Sequence, residues 1–143
     1  MNKKAEKFKE FLKEKKIEAF KEEEIKEDEL NTAVFRSSID VDGNRLPVIV
    51  ILDSSIYGMV RVLVAPKAVK EENEQAVLQL VNKYNKTYKS LKYYVDDEKS
   101  LVMDTCILFK EGKADGDIIY AMIDLIIQQL GEAYKEIMKS IWN

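Results

Sequence analysis

Residues 31–52, NTAVFRSSIDVDGNRLPVIVIL, decide what kind of fold this chain can adopt. In the first half Ala33, Phe35, Ile39 and Val41 point one way, while Thr32, Arg36, Ser38 and Asp40 point the other. Alternation of period two is the pattern of a half-buried strand. Asp42-Gly43-Asn44 supplies residues that tolerate positive φ, and Leu46 to Leu52 follows as a near-continuous apolar run. Two such runs around such a turn spell a β-hairpin. Pro47 stands near the start of the second strand, where a missing N–H is tolerated.

Working outward, Met59 to Ala65 reads as a third strand, with Val60, Val62 and Val64 on one face and Met59 and Leu63 on the other; Pro66 ends it. Before the hairpin, Lys3 to Lys16 places Ala5, Phe8, Phe11 and Leu12 on one helical face. The stretch Ile17 to Leu30 is acidic, with Phe20 and Ile25 as anchors for a short edge strand. After Pro66, Glu71 and Glu72 suit the positive end of a helix, and Ala76, Val77, Leu80, Val81 and Tyr84 give it an apolar stripe ending near Lys86. Leu91 to Val95 and Leu101 to Phe109 read as a second hairpin around Asp96-Asp97-Glu98-Lys99. Gly112 to Gly116 is then a loop, Asp115 an N-cap, and Asp117 to Trp142 a long closing helix. The predicted fold is a single α+β domain over residues 1–143. Its order is helix, three antiparallel strands, helix, two strands and a long C-terminal helix, with the helices packed on one sheet of five or six strands.

The closing helix has more apolar surface than one packed face requires. Projected at 100° per residue, its polar positions, such as Asp117, Asp124, Gln128 and Glu132, fall in a narrow stripe. Ile118, Ile119, Met122, Ile123, Leu125, Ile126 and Ile127 span roughly 200°, against the ~100° of an ordinary amphipathic helix. Two coverings are open: the N-terminal helix alongside, or another subunit or client. Ile118, Met122 and Leu125 are therefore the candidate partner or dimer surface.

Composition removes whole function classes. With no histidine in 143 residues, imidazole acid–base catalysis and the Ser-His-Asp and Cys-His arrangements cannot exist. One cysteine and no histidine cannot supply a tetrahedral zinc site. Cys106 falls in a predicted strand and reads as a small core or strand residue rather than a redox nucleophile, and a lone cysteine makes no internal disulfide. No phosphate-binding glycine loop is present; Gly112-Lys113-Ala114-Asp115-Gly116 carries carboxylates where a phosphate would sit. Asp40-x-Asp42-Gly43-Asn44 lacks the distal ligands of a calcium loop and reads as turn chemistry. The acidic run Glu22 to Glu29 reads as a solvated face that neutralises the lysine-rich first helix. With 26 carboxylates some pair always lies close, so a carboxylate-dependent or metal-assisted enzyme, or a small-ligand binder, is kept as the alternative.

The net charge of −3 and the scarcity of arginine, limited to Arg36, Arg45 and Arg61, argue against nucleic acid. Met1 to Lys16 has no apolar h-region and no stretch is long enough to span a bilayer, so a cytoplasmic chain with no membrane partner is expected.

Three stretches resemble a known family: Leu80-Val81-Asn82-Lys83-Tyr84-Asn85, then Lys92-Tyr93-Tyr94-Val95-Asp96-Asp97, then the strand from Leu101 to Phe109. They are similar to the YbjN family of bacterial sensory-transduction regulators, in which a helix ending in Asn-x-x-Asn precedes an acidic-turn hairpin and a closing helix. The order of elements is also similar to that of type III secretion chaperones, which the YbjN domain resembles in fold. The resemblance implies a non-enzymatic role in binding or regulation and brings no catalytic residue to this chain. The expectation is a chaperone-like protein-binding module, a homodimer or the holder of another polypeptide, with no cofactor and no metal.

Overall fold

The hairpin forms as its sequence dictates. In the computed structural model, which describes residues 1–110 and 113–142, β2 (Ala33–Val41) and β3 (Asn44–Leu52) pair antiparallel from Val41↔Asn44 to Ala33↔Leu52. Asp42 and Gly43 make a two-residue turn with φ of 49° and 79°. Positive φ at both central positions gives the turn whose twist matches that of the strands.

Around this hairpin the chain builds α1 (Lys3–Glu14), β1 (Lys21–Glu24), β4 (Tyr57–Ala65), α2 (Glu74–Thr87), β5 (Lys92–Val95), β6 (Leu101–Leu108) and α3 (Gly116–Trp142). The sheet has six antiparallel strands in the order β1-β2-β3-β4-β6-β5. The sixth is β1, the short edge strand expected between Phe20 and Ile25. All four of its side chains are exposed, which suits an edge that charged residues keep from pairing further.

Cross-strand register separates the two faces. Phe35, Val50 and Val60 stand in line on one of them, all almost fully buried. This inner face carries the helices. Phe8 of α1 packs edge-on against Phe35 at 4.9 Å and also meets Phe20. Tyr84 of α2 packs on Tyr93 at 5.1 Å. From α3, Ile119, Ile126, Leu130 and Ile137 are fully buried in the same cluster.

Side-chain amides then fix the helices to the strands. Asn2 caps α1 by accepting from the Ala5 N–H at 2.9 Å, while its Nδ2 donates to the carbonyls of Asn31 and Leu52. Asn73 donates to the carbonyls of Ala68 and Ile141 and so holds the start of α2 to the end of α3. Asn85 accepts from the Tyr93 N–H at 2.7 Å and donates to the Tyr93 carbonyl at 3.0 Å, standing in for a strand partner beside β5. Lys4, which the sequence places on the solvated side of α1, is 4% exposed, its Nζ donating to the carbonyls of Ser55 and Tyr57. Burial lowers its pKa against the opposing pull of Asp53.

Other boundaries shift modestly. α2 begins at Glu74 rather than Glu71, and its Ala76 is exposed, so the buried stripe narrows to Val77 and Tyr84 with Leu80 and Val81 half-buried. Asp115 caps α3 as expected, accepting from the N–H groups of Asp117 and Ile118. The loop expected from Gly112 lies partly outside the described residues. α3 runs unbroken through Gly131, and no helix among the described residues is long and apolar enough to cross a membrane.

Two variants test this packing. A Cβ on Gly116 would lie 2.2 Å from Cγ of Phe11, so Gly116→Ala forces α1 and α3 apart. It should cost ~1–3 kcal/mol in urea unfolding, and much of that loss should vanish in a Phe11→Ala background, where the clash is gone. Glu136 accepts hydrogen bonds from Tyr84 at 2.6 Å and Lys83 at 3.0 Å, which hold its carboxyl below the ordinary range. A depressed carboxyl pKa stabilises the fold above the unfolded value and loses that contribution as pH falls through the folded one. Glu136→Gln should therefore lower the melting temperature at neutral pH and narrow its gap from wild type as the pH falls to roughly 3.

Candidate functional site

The face of the sheet away from the helices has no layer on it among the described residues. Its positions fall in rows across the central strands. One row is Val34, Ile51, Met59 and Cys106; the next is Arg36, Ile49, Arg61 and Asp104. In a third, Ser38 pairs with Pro47 and Leu63 with Val102, and the Val48↔Val62 pairing sets Pro47 beside Leu63. Val34 and Val102 are buried by their neighbours in the sheet, yet neither belongs to the core cluster under the helices. Ile49, Ile51, Met59 and Leu63 are half-buried.

An antiparallel sheet with one solvated face ordinarily alternates apolar and polar residues along each strand. Here β3 runs Val48-Ile49-Val50-Ile51-Leu52, apolar on both faces. The charges on the outer face are equally selective. All three arginines of the chain stand there, while the four central strands present no lysine or glutamate on that side, although every other cation of the chain is a lysine. Arginine, methionine and aromatic residues are enriched at protein interfaces and lysine and glutamate depleted. The face has that composition.

At its centre lies a pair that the sequence did not reveal. Nε and Nη2 of Arg61 donate to the two carboxylate oxygens of Asp104 at 2.8 and 3.0 Å, and the Tyr94 hydroxyl donates to Oδ2 at 3.0 Å. Asp104 is 2% exposed and Arg61 38%, so the guanidinium acts as a lid on the carboxylate. The Asp104 hydrogen bonds raise the Arg61 pKa, and burial followed by the Asp104 charge raises that of Tyr94. Lys92 lies 5.3 Å over the Tyr94 ring and closes the cluster at the β5 edge. Three donors take up most of the acceptor capacity of the Asp104 carboxylate.

The other carboxylates are also engaged or dispersed. Glu22 of the acidic run pairs with Lys9 at 2.9 Å and Glu23 with Arg36 at 3.5 Å. Among the described residues no group of three or more His, Cys, Asp or Glu is placed to hold a metal ion. Cys106 is a strand residue of β6 and stands exposed in the outer-face row.

The apolar arc read from the closing helix is divided. α1 covers one flank of α3, where Phe11 and Phe20 meet Tyr120. On the opposite flank Ile118 is 45% and Leu125 42% exposed, with Met122 half-buried. Leu125 lines a groove of about 470 Å3 with Tyr88, Leu91 and Gln129. Gln129 is buried, its Oε1 accepting from the Tyr93 hydroxyl while its Nε2 has no partner among the described residues. This flank is smaller than the sheet face and separate from it.

Comparison with known families matches residues 5–138 to YbjN, described as "Putative bacterial sensory transduction regulator". No curated protein matches the chain.

The Arg61–Asp104 geometry predicts a non-additive pair. Arg61→Ala leaves Asp104 buried with only Tyr94 as donor and should cost about 2 kcal/mol, the half-exposed lid discounting the full penalty of a broken buried pair. Replacing both, as Arg61→Met with Asp104→Leu, should recover to within about 1 kcal/mol of wild type. Urea unfolding of the two single variants and the double closes the cycle.

Proposed function

We propose that this chain, which belongs to the YbjN family, is a non-enzymatic protein-binding or regulatory module, and that the uncovered face of its sheet is where it binds. One observation carries the reading: the outer face is apolar at Ile49, Ile51, Met59 and Leu63 and bears arginine where the rest of the surface bears lysine. A solvated face has no physical reason for that selection, whereas an interface core does.

Regulation through such a face needs no reaction. A partner that binds it removes apolar surface from water and gains hydrogen bonds at the rim from Arg36 and Arg45, both largely exposed. The central Arg61–Asp104 pair is already satisfied within the chain, so a partner can cover it without stranding a charge. The role is chaperone-like in the limited sense that apolar surface of one chain shields apolar surface of another. The membership of a family of sensory-transduction regulators supports a role exercised by contact.

A photo-crosslinking amino acid in place of Ile49 tests the reading in living cells. Illumination should join the chain to a polypeptide, seen as a species of higher mass, whereas the same group at exposed Glu29 should not. No crosslinked species from position 49 would remove the proposal.

A further inference from the structure

We infer that the polypeptide seated on this face is a second copy of the chain, packed sheet to sheet through β2, β3, β4 and β6; the inference rests on the face being a protein-binding surface at all. Three features select this occupant. The first is area. Four strands at ~4.8 Å spacing and about nine residues at ~3.3 Å rise make a footprint of about 600 Å2. Two such footprints come to about 1,200 Å2, the lower edge of a standard specific interface.

The second is charge. The whole chain carries −3, so two copies repel over most approaches. The central strands of this face set Arg36, Arg45 and Arg61 against Asp40 and Asp104, which nearly cancel. Copies approach here with the least repulsion.

The third is self-complementarity, which a two-fold contact requires. An axis along the strands between β3 and β4 sets β3 of one copy over β4 of the other, and β2 over β6. In the observed register Ile51 then faces Met59 of the second copy, Pro47 faces Leu63, and Arg36 stands over Asp104. Apolar rows meet apolar rows, and in the mixed row Arg36 meets Asp104 while Ile49 lies over Arg61, whose Nε and Nη2 are already paired with Asp104. Twisted sheets pack face to face about 10 Å apart with strands within ~30° of alignment, an arrangement this axis allows. Helices end up on the outside of the pair, and the Ile118–Leu125 flank of each copy stays free.

The purified full-length chain tests this by light scattering. Wild type should show twice the 16.6 kDa chain mass at high concentration. Ile51→Glu should show the single-chain mass with unchanged circular dichroism, and Leu125→Glu on the α3 flank should keep the doubled mass. A measurement on unmodified protein guards against a variant that fails to fold: Cys106 sits in the outer-face row opposite Val34 of the second copy. Its maleimide labelling should slow about ten-fold from dilute to concentrated wild type as the dimer fraction rises by mass action. A single-chain mass at every concentration overturns the inference, as does a dimer that survives Ile51→Glu and dissociates in Leu125→Glu, or labelling indifferent to concentration. A single-chain mass combined with crosslinks from position 49 to a different polypeptide overturns only the second copy as occupant. The absence of any crosslink removes the binding face itself.

Discussion

A hydrogen-bonded sheet has two faces, and the helices of this chain cover one of them. Everything on the inner side follows from closing that layer: Phe8 meets Phe35, Tyr84 meets Tyr93, and the isoleucines of α3 fill the space between. The outer side is left to solvent or to another molecule. An antiparallel sheet tolerates such asymmetry when its open face is polar. In this chain β3 and β4 keep the open face apolar with Ile49, Ile51, Met59 and Leu63, and the proposed binding role starts from that departure.

The inner layer is held by more than apolar contact. Asn2, Asn73 and Asn85 each bridge backbone groups that regular structure leaves unpaired, at the start of α1, the start of α2 and the edge of β5. Asn2 and Asn73 join elements far apart in sequence and Asn85 joins α2 to the β5 that follows it, so these amides set where the helices sit, while the apolar cluster supplies most of the driving force. Lys4 does the same with an ammonium group, at the cost of partial desolvation. Such fixed attachment lets the sheet present a stable outer surface with no layer over it among the described residues.

How far the sequence could be read follows from the range of the interactions involved. The β2–β3 hairpin was legible because its signals are local: alternation at Phe35, Ile39 and Val41, and a turn that demands positive φ at Asp42 and Gly43. The edge strand Lys21–Glu24 gave only a weak signal, since none of its side chains is buried and its position rests on backbone pairing with β2. The role of Asn85 was hidden, because an Asn near a helix end reads as capping until β5 is placed beside it. The buried state of Lys4 was hidden for the same reason. As for the site, helical projection pointed to Ile118, Met122 and Leu125, of which Ile118 and Leu125 are exposed and Met122 half-buried. The larger face was missed because it exists only in register: Arg61 and Asp104 are far apart in the chain and adjacent in the sheet. One signal was available without register. Each arginine falls at a strand position of the solvent-facing parity, a bias that lysine-rich solvated faces do not show.

The Arg61–Asp104–Tyr94 cluster bears on why the outer face can be apolar without being indiscriminate. A wholly aliphatic sheet face would accept any apolar surface in any orientation, since the hydrophobic effect is non-directional. A rigid, internally satisfied pair at the middle of the face adds no free charge to bind with, but it fixes a polar spot that an incoming surface has to match or avoid. A residue that strips the free N–H groups of the Arg61 guanidinium of water without leaving an acceptor in reach costs their hydration, so a covering surface has to leave those groups paired or wet. Specificity of this kind works by penalising wrong placements rather than by strengthening the right one. In the proposed binding role, the central pair lets the neighbouring isoleucines supply affinity while it restricts the orientation in which that affinity can be used.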